Sequence, residues 1–308
     1  MADTDSYPII EVQRDQRVDT EQLGTKSKFW FRRDDGLWLF KFARDDTGED
    51  WAEKVASEIA ALMDVRAAHV ELASFDGKLG CAVKSFVDRE AGEVLLHGNE
   101  ILAGQVLGYD QYKQKRQSDH TLSNIRSAIE KVFPDPVHHN SILMELAAYL
   151  VLDAVISNTD RHHENWGLLL KPHVISMDES GHMQGGLMAT VAPSYDHASS
   201  LGRELRDEKR TALLKSKHLG KYIRGGRGGI YWSAASPHGE CPLKLVEMGT
   251  KDYPAIFAPA LQQTCEIDVN LLVKPIEKIP AARMSDMART FAREMIGYSL
   301  NELRKLLK

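Results

Sequence analysis

Residues 153–167 read DAVISNTDRHHENWG, and they join an apolar run of helical spacing to the apolar Leu168-Leu169-Leu170. Buried elements on both sides therefore deliver a group of polar side chains to one point. Within that group, Asp160 and Asn165 have the D-x-x-x-x-N spacing by which a catalytic loop places a proton-accepting carboxylate beside a metal-binding amide oxygen. The spacing is short, and a helix that ends in a hydrogen-bonded polar turn accounts for it as well.

A second acidic position follows the catalytic-loop candidate by 36 residues. Asp196 lies in the turn-rich segment Pro193 to Gly202. Magnesium prefers one or two carboxylates together with phosphate oxygens, so Asn165 and Asp196 are candidate ligands of a nucleotide-bound Mg²⁺. The alternative is that Asp196 caps the next helix.

Upstream, Lys41 interrupts the apolar strand Leu39 to Ala43. An ammonium group in a cleft can bridge nucleotide phosphates if a helix carboxylate orients it. Two carboxylates on the following helix compete for this role: Glu58 lies beside the apolar stripe and Glu53 lies off it, so helical geometry favours Glu58. A lysine on the solvent face of an edge strand is the simpler alternative for Lys41.

The hydrophobic pattern divides the chain into two parts. Up to about residue 90 it predicts an aromatic-rich hairpin, an amphipathic helix and two more strands, at residues 29–42, 51–63, 69–74 and 79–87. After residue 91 it predicts helices at 99–107, 121–133 and 141–157, and a final short helix that starts with the capping box Ser299 to Glu302. We therefore expect an α+β, bilobal protein with a small β-rich N-lobe (1–88) and a larger, mainly helical C-lobe (89–308).

The composition restricts the class of protein. The chain has 308 residues, 43% of them apolar and 27% charged, with a net charge of -5. It is therefore globular, and any contact with nucleic acid or anionic lipid has to be local. The three cysteines form no C-x-x-C pair, the N-terminus is acidic, and the longest apolar run is interrupted by Glu145 and Asp153. We expect a soluble protein of a reducing compartment that does not bind membranes.

One segment is strongly basic. Arg203 to Arg227 contains nine Lys or Arg residues and three acidic ones, and its end overlaps the glycine-rich sequence Gly225 to Gly229. Because it follows Asp196, it occupies the position of an activation segment or a substrate-docking platform. The functional interpretation is a platform for an acidic substrate, and the alternative is a solvated basic helix followed by a flexible loop.

The motif Asn158-Thr159-Asp160-Arg161-His162-x-x-Asn165-x-Gly167, followed by Tyr195-Asp196, resembles that of the HipA-like serine/threonine kinases. The resemblance implies the phosphoinositide-kinase-like version of the protein-kinase fold, with ATP and Mg as cofactors. It places Asp160 as the catalytic base and Lys41 on the ATP phosphates. It also assigns nucleotide and metal binding to His162, Asn165 and Asp196.

The same resemblance assigns two further parts of an ATP site. Gly24, Thr25, Lys26, Ser27 and Lys28 occupy the place of the phosphate-covering loop. The backbone around Lys84, Ser85 and Phe86 occupies the place of the adenine-binding hinge. The family register sets Glu53, not Glu58, opposite the lysine, so both carboxylates remain candidates.

Regulation and partners follow only by analogy with the family. Ser27 is the expected autophosphorylation site, where a phosphate would add about two negative charges beside the ATP phosphates. The length resembles the short members of the family, the small HipT-type toxins of three-gene toxin–antitoxin operons or the kinases exported by pathogens, so the expected location is the cytoplasm or a host cell. Expected partners are a protein substrate, by analogy an aminoacyl-tRNA synthetase, and an antitoxin, with nucleic acid bound only indirectly. A small-molecule or phosphoinositide-type kinase, or a nucleotide-binding regulator without turnover, remains the alternative.

Overall fold

The computed structural model describes residues 6–20, 27–177 and 183–307. Its N-lobe is built on a mixed six-stranded sheet. The strands of this sheet are β1 (Ile9–Val12), β2 (Arg17–Thr20), β3 (Lys28–Arg33), β4 (Gly36–Phe42), β5 (Val70–Phe75) and β6 (Lys78–Lys84). They pair in the order β1-β5-β6-β4-β3-β2, and only the β1–β5 pair is parallel.

The β3–β4 hairpin confirms the strand prediction made from the aromatic alternation. Gly36 has a φ of +125°, which glycine adopts without strain, and it turns the chain between the two strands. Because side chains alternate along a strand, Trp38 and Phe40 point to one face of the sheet and enter an aromatic core with Phe29. Lys41 is left on the opposite face.

Helix α1 (Glu49–Leu62) packs against β5 and β6 on the face of the sheet that carries Lys41. Its apolar stripe, which includes Val55 and Ile59, is fully buried. These side chains belong to the same core cluster as the helices of the second lobe. The two lobes are therefore joined by an apolar core to which α1 contributes.

The C-lobe is mainly helical and contains a small three-stranded sheet. The helices are α2 (Gly98–Gln105), α3 (Leu122–Val132), α4 (Pro136–Ile156), α5 (Asp207–Lys215), α6 (Leu219–Arg224), α7 (Pro242–Asp252), α8 (Pro254–Glu266), α9 (Val269–Leu272), α10 (Lys274–Glu277) and α11 (Asp286–Arg304). The strands β7 (Val94–His97), β8 (Gly167–Met177) and β9 (Met183–Val191) pair in that order. The expected bilobal α+β architecture is thereby confirmed.

Two local predictions for the C-lobe are wrong. Strand β7 lies where only helices were expected, because a four-residue strand is too short to show a period and pairs with β8, which is distant in sequence. The last helix does not start at Ser299: α11 runs unbroken from its N-cap Ser285, whose side chain accepts a hydrogen bond from Ala288 N. Ser299 is fully buried inside that helix, and Glu302 pairs with Arg224.

Helix α4 is the central helix of the C-lobe. It is long and apolar enough to satisfy a length and composition test for a membrane span, with a mean hydropathy of 1.3. However, 67% of that window is buried inside the protein, where α4 packs against α7, α8 and α11. Its apolar composition is that of a core helix.

Two arginines of the C-lobe hold the N-terminal end of α1. Arg283, in the loop before α11, pairs with Asp50 at 2.6 Å, and both side chains are only 3% exposed. Arg203, which follows Asp196 in the chain, pairs with Glu49 at 2.7 Å. Burial raises the pKa of Asp50, although its bonds with Arg283 oppose that shift. The position of α1 is therefore fixed from the C-lobe by two ion pairs.

We predict that Arg283→Met lowers the free energy of unfolding by about 3 to 5 kcal/mol, because it leaves the buried Asp50 carboxyl without its partner. Urea unfolding monitored by circular dichroism measures the loss. Arg14→Ala is the matched control, since it removes the exposed Arg14–Asp76 pair and should cost much less than the loss of the buried pair. Equal losses in the two variants would show that the buried pair does not hold α1.

Candidate active site

Lys41 makes contacts with both lobes. Its Nζ lies 3.5 Å from Oε1 of Glu53 on α1 and 3.2 Å from Oδ1 of Asp196 in the C-lobe. The lysine side chain is 12% exposed and that of Glu53 is fully buried. Burial lowers the pKa of Lys41, but the two carboxylates outweigh it, so the pKa is raised and the ammonium stays charged.

The choice of Glu58 as the partner of Lys41 is wrong. Glu58 contacts Lys54 at 2.7 Å, one helical turn away, and Lys54 also contacts Glu71. The prediction assumed that only the apolar stripe of α1 faces the interior. In the structure most of the helix surface is buried, and Glu53 lies on the part that faces β4.

The backbone from Asn158 to Asn165 is held in a fixed conformation. Helix α4 ends at Ile156, and its C-cap Ser157 has a left-handed φ of +54°. The carbonyl of Asp160 accepts hydrogen bonds from Asn165 Nδ2 at 2.7 Å and from His162 N at 2.8 Å. Asp160 is exposed, so its carboxylate is presented at the surface on a constrained backbone.

Arg161 ties this loop to the core and to the segment of Asp196. Its guanidinium makes two 2.8 Å bonds to the carboxylate of Asp153, near the end of α4, and both side chains are buried. It also donates to the carbonyls of Asn165 at 2.6 Å and Tyr195 at 3.3 Å. Burial lowers the pKa of Arg161 but Asp153 outweighs it, so the pKa is raised. The loop and the segment of Asp196 are therefore joined by one side chain.

Asp196 has a φ of +60°, a conformation that costs energy in any residue with a side chain. The residues beside it are fixed: Arg161 donates to Ser194 Oγ, which also contacts Nε2 of the buried His197 at 2.7 Å. The alternative role of Asp196 as a helix cap does not apply, because the next helix, α5, has Arg206 as its N-cap.

The chemistry of the donor set fits a magnesium ion that is bound together with a phosphate-bearing molecule. Asn165 Nδ2 is used by the carbonyl of Asp160, which leaves its amide oxygen for another partner, and Asp196 supplies a carboxylate. Within the residues that the structure describes, no group of three His, Cys, Asp or Glu side chains could hold a metal ion by itself. The remaining ligands would have to come from a bound molecule.

The hinge residues lie at the junction of the two lobes. Ser85 N donates to Leu37 O at 2.8 Å, and the ring of Phe86 stacks on Tyr195 with centroids 5.5 Å apart. Within the described ranges the backbone N–H and C=O of Phe86 have no hydrogen-bond partner. The side chain of Lys84 pairs with Asp35 at 3.3 Å, and its backbone N–H donates to His69 O at 2.9 Å. Phe86 and Tyr195 pack on an apolar cluster of Ala68, Val70, Cys81 and Val83.

The remaining predicted site residues belong to the phosphate-covering loop, apart from His162. Gly24, Thr25 and Lys26 lie outside the described residues. Ser27 is exposed and its carbonyl accepts a hydrogen bond from Phe42 N, while Lys28 is opposite Lys41 in the β3–β4 register. The ring of His162 is 26% exposed, and its Nδ1 accepts a hydrogen bond from Glu164 N at 3.2 Å.

Sequence reasoning did not identify the Asp153–Arg161 pair as part of the site. Asp153 was noted only as an interruption of the apolar run. A carboxylate inside an apolar helix requires a partner, and an arginine eight residues later in the polar cluster was a usable signal.

A buried histidine connects the site to the glycine-rich segment. His120 Nε2 accepts a hydrogen bond from Trp166 Nε1 at 3.0 Å, so its Nδ1 carries the proton and donates to Gly229 O at 2.8 Å. Burial lowers the pKa of His120 to about 3. The ring is therefore neutral at physiological pH.

Comparisons with known proteins indicate the family and the fold of the chain. The sequence profile of the HipA-like C-terminal domain matches residues 20–226. The Helicobacter pylori proinflammatory kinase CtkA has a similar structure, with a TM-score of 0.73 and 18% identity over 97% of this chain and 99% of that one. HipA of Shewanella oneidensis MR-1, in a toxin–antitoxin complex with HipB and operator DNA, gives 0.59 and 11% over 98% and 68%. No curated protein sequence matches the chain.

We predict that His120 makes the fold sensitive to mild acid. In the unfolded chain the imidazole binds a proton with a pKa near 6.5, whereas in the folded chain it does so only near 3, so a fall in pH favours unfolding. Between pH 7 and pH 5 this histidine should cost about 2 kcal/mol.

Urea unfolding of the wild type and of His120→Gln at both pH values measures that cost. The wild type should lose about 2 kcal/mol more than the variant over the interval, because glutamine does not titrate. Identical losses would mean that His120 is not buried as a neutral ring.

Proposed function

The chain belongs to the family of HipA-like C-terminal domains, and from that premise we propose that it is an ATP- and Mg²⁺-dependent serine/threonine protein kinase. The observation that supports this proposal best is the contact of Lys41 with both Glu53 and Asp196. A charged lysine between a helix carboxylate and a candidate metal carboxylate is the arrangement that phosphoryl transfer needs.

The proposed reaction moves the γ-phosphoryl group of ATP to a serine or threonine hydroxyl. Lys41 binds the phosphate oxygens and compensates their negative charge, and Glu53 keeps its ammonium in place. Asp160 orients the acceptor hydroxyl and accepts its proton, which is reasonable for an exposed carboxylate on a constrained backbone.

Asn165 and Asp196 would hold the magnesium ion, and His162 would contact the nucleotide. The ion would supply positive charge that compensates the negative charge of the phosphate groups. The unpaired backbone N–H and C=O of Phe86 bind the edge of the adenine. Tyr195 and its apolar neighbours hold the Phe86 ring in place. By the family resemblance, the segment from Gly24 to Lys28 would cover the ATP phosphates, and its Ser27 is the proposed autophosphorylation site.

Partners are proposed from the relatives. The HipA relative is bound to HipB and operator DNA, so an antitoxin is a candidate partner here, with DNA bound only through it. Alternatively, the chain itself is a kinase that is exported to a host cell. In either case we propose that the acceptor of the phosphoryl group is a protein.

Incubation of the purified protein with γ-labelled ATP and Mg²⁺ tests the proposal. We expect label on serine or threonine, including Ser27 of the protein itself. Asp160→Asn should lower the rate by about 10²- to 10⁴-fold while ATP affinity changes by less than about threefold, because the base acts mainly in the transition state.

Other products of this reaction contradict the proposal in distinct ways. Label on a lipid or small molecule would indicate a small-molecule or phosphoinositide-type kinase. ATP binding without any transfer would indicate a nucleotide-binding regulator. Full turnover by Asp160→Asn would refute the assignment of the base.

The two carboxylates of α1 provide a matched pair of variants. Glu53→Gln removes the charge that orients Lys41, and we expect kcat/KM for ATP to fall by about tenfold or more. Glu58→Gln should change it by less than about twofold, because Glu58 contacts Lys54 and not Lys41. A larger effect at Glu58 than at Glu53 would contradict the proposed role of the Lys41 contact.

A further inference from the structure

The five residues Gly225 to Gly229, the glycine loop, contain a single side chain, that of Arg227. None of these glycines has a positive φ. The reason for glycine at these positions is therefore not an unusual backbone conformation but the proximity of other backbone atoms.

The glycine loop lies directly against the catalytic loop. A Cβ on Gly226 would lie 3.0 Å from Cγ2 of Thr159, and one on Gly229 would lie 2.7 Å from the carbonyl carbon of Arg161. Thr159 and Arg161 are the two neighbours of Asp160. The glycine loop therefore passes the proposed base, and Arg227 lies between the two points of contact.

The loop is held at defined positions. Gly228 N donates to Glu240 O at 2.9 Å, and Gly226 N donates to Ile223 O at 3.1 Å. At the far end His120 donates to the carbonyl of Gly229, and Trp166 fixes the His120 ring. The backbone that carries Arg227 therefore has little freedom to move away from Asp160.

Most arginines of the basic segment do not form a free positive surface. Four of them are used in ion pairs within the protein: Arg203 with Glu49, Arg206 with Asp46, Arg210 with Asp207 and Arg224 with Glu302. The ion pairs use most of the arginines, whereas the lysines of the segment, among them Lys215, are exposed. Arg227 differs, because it is exposed and, in the described part of the chain, has neither an ion-pair nor a hydrogen-bond partner.

We propose that Arg227 is a specificity-determining residue, whose guanidinium binds an aspartate or glutamate of the protein substrate close to the acceptor hydroxyl. A guanidinium binds a carboxylate through two parallel hydrogen bonds, which gives both attraction and orientation. The inference rests on the proposed kinase function, since it places the acceptor peptide at Asp160.

A peptide suits this position better than a nucleic acid. RNA carries a phosphate at every nucleotide and binds surfaces with many cations. Here the backbone of Arg227 lies between two contacts with the sequence neighbours of Asp160, in a chain whose net charge is -5. A single acidic side chain matches one guanidinium, which compensates its negative charge.

The test uses the full chain, labelled ATP and a library of Ser- and Thr-centred peptides. Each peptide carries Glu, Gln or Lys at one position within three residues of the acceptor. For the wild type we expect kcat/KM to be about tenfold higher with Glu than with Gln at one position, mainly through KM. Arg227→Ala should abolish that difference and leave the Gln peptide unchanged, and Arg227→Glu should prefer Lys at the same position.

Lys215→Ala is the matched control, because it removes an exposed cation from the same basic segment but outside the glycine loop. Its peptide preference should equal that of the wild type. An equal effect of Lys215→Ala would mean that general charge, and not Arg227, selects the substrate, and the inference would be overturned.

Other outcomes separate this inference from the function on which it rests. Peptide phosphorylation without an acidic preference, or with one that survives in Arg227→Ala, overturns the inference and leaves the kinase function standing. An equal loss of rate with all peptides in Arg227→Ala also overturns the inference. Salt-dependent RNA binding by the wild type that Arg227→Ala loses and Lys215→Ala keeps does so as well. A wild type that labels neither peptides nor itself refutes the kinase function and the inference with it.

Discussion

The buried ion pair between Asp153 and Arg161 is the constraint on which the candidate site depends. Asp153 belongs to the central helix α4, so the pair transfers the rigidity of the C-lobe core to the loop that carries Asp160. The same guanidinium bonds the carbonyls of Asn165 and Tyr195 and the hydroxyl of Ser194. The groups that it contacts are therefore fixed in position relative to the Arg161 guanidinium. A buried charge of this kind is stable only when its partners satisfy it, as they do here.

The C-lobe also positions the N-lobe, through different contacts. The contact between Lys41 and Glu53 requires α1 to occupy a defined position, because Glu53 lies on that helix. Ion pairs from Arg203 and Arg283 hold the N-terminal end of that helix. Arg203 follows Asp196 in the chain, so the segment that supplies the candidate metal ligand also helps to place the helix that orients the lysine.

The sequence predicted features that depend on short-range patterns. The aromatic alternation around Phe40 was sufficient for the hairpin, and helical spacing was sufficient for α4. It failed where an outcome depends on distant parts of the chain: β7 exists because β8 pairs with it, and Ser299 lies inside a helix whose start is fixed at Ser285. The preference for Glu58 failed for a similar reason. A helix buried on most sides has no single inward stripe, so amphipathicity cannot tell which carboxylate faces Lys41.

The Asp50–Arg283 pair also has a consequence for synthesis. The two residues are 233 positions apart, and a ribosome adds about 5 to 20 residues per second, so the partner of Asp50 is made on the order of 10 to 50 s later. The N-lobe hairpins are local and can form early, but the buried carboxylate of Asp50 has no Arg283 partner until that residue has emerged. During translation the contact between Lys41 and Glu53 therefore lacks the ion pair that fixes α1 until most of the second lobe has been made.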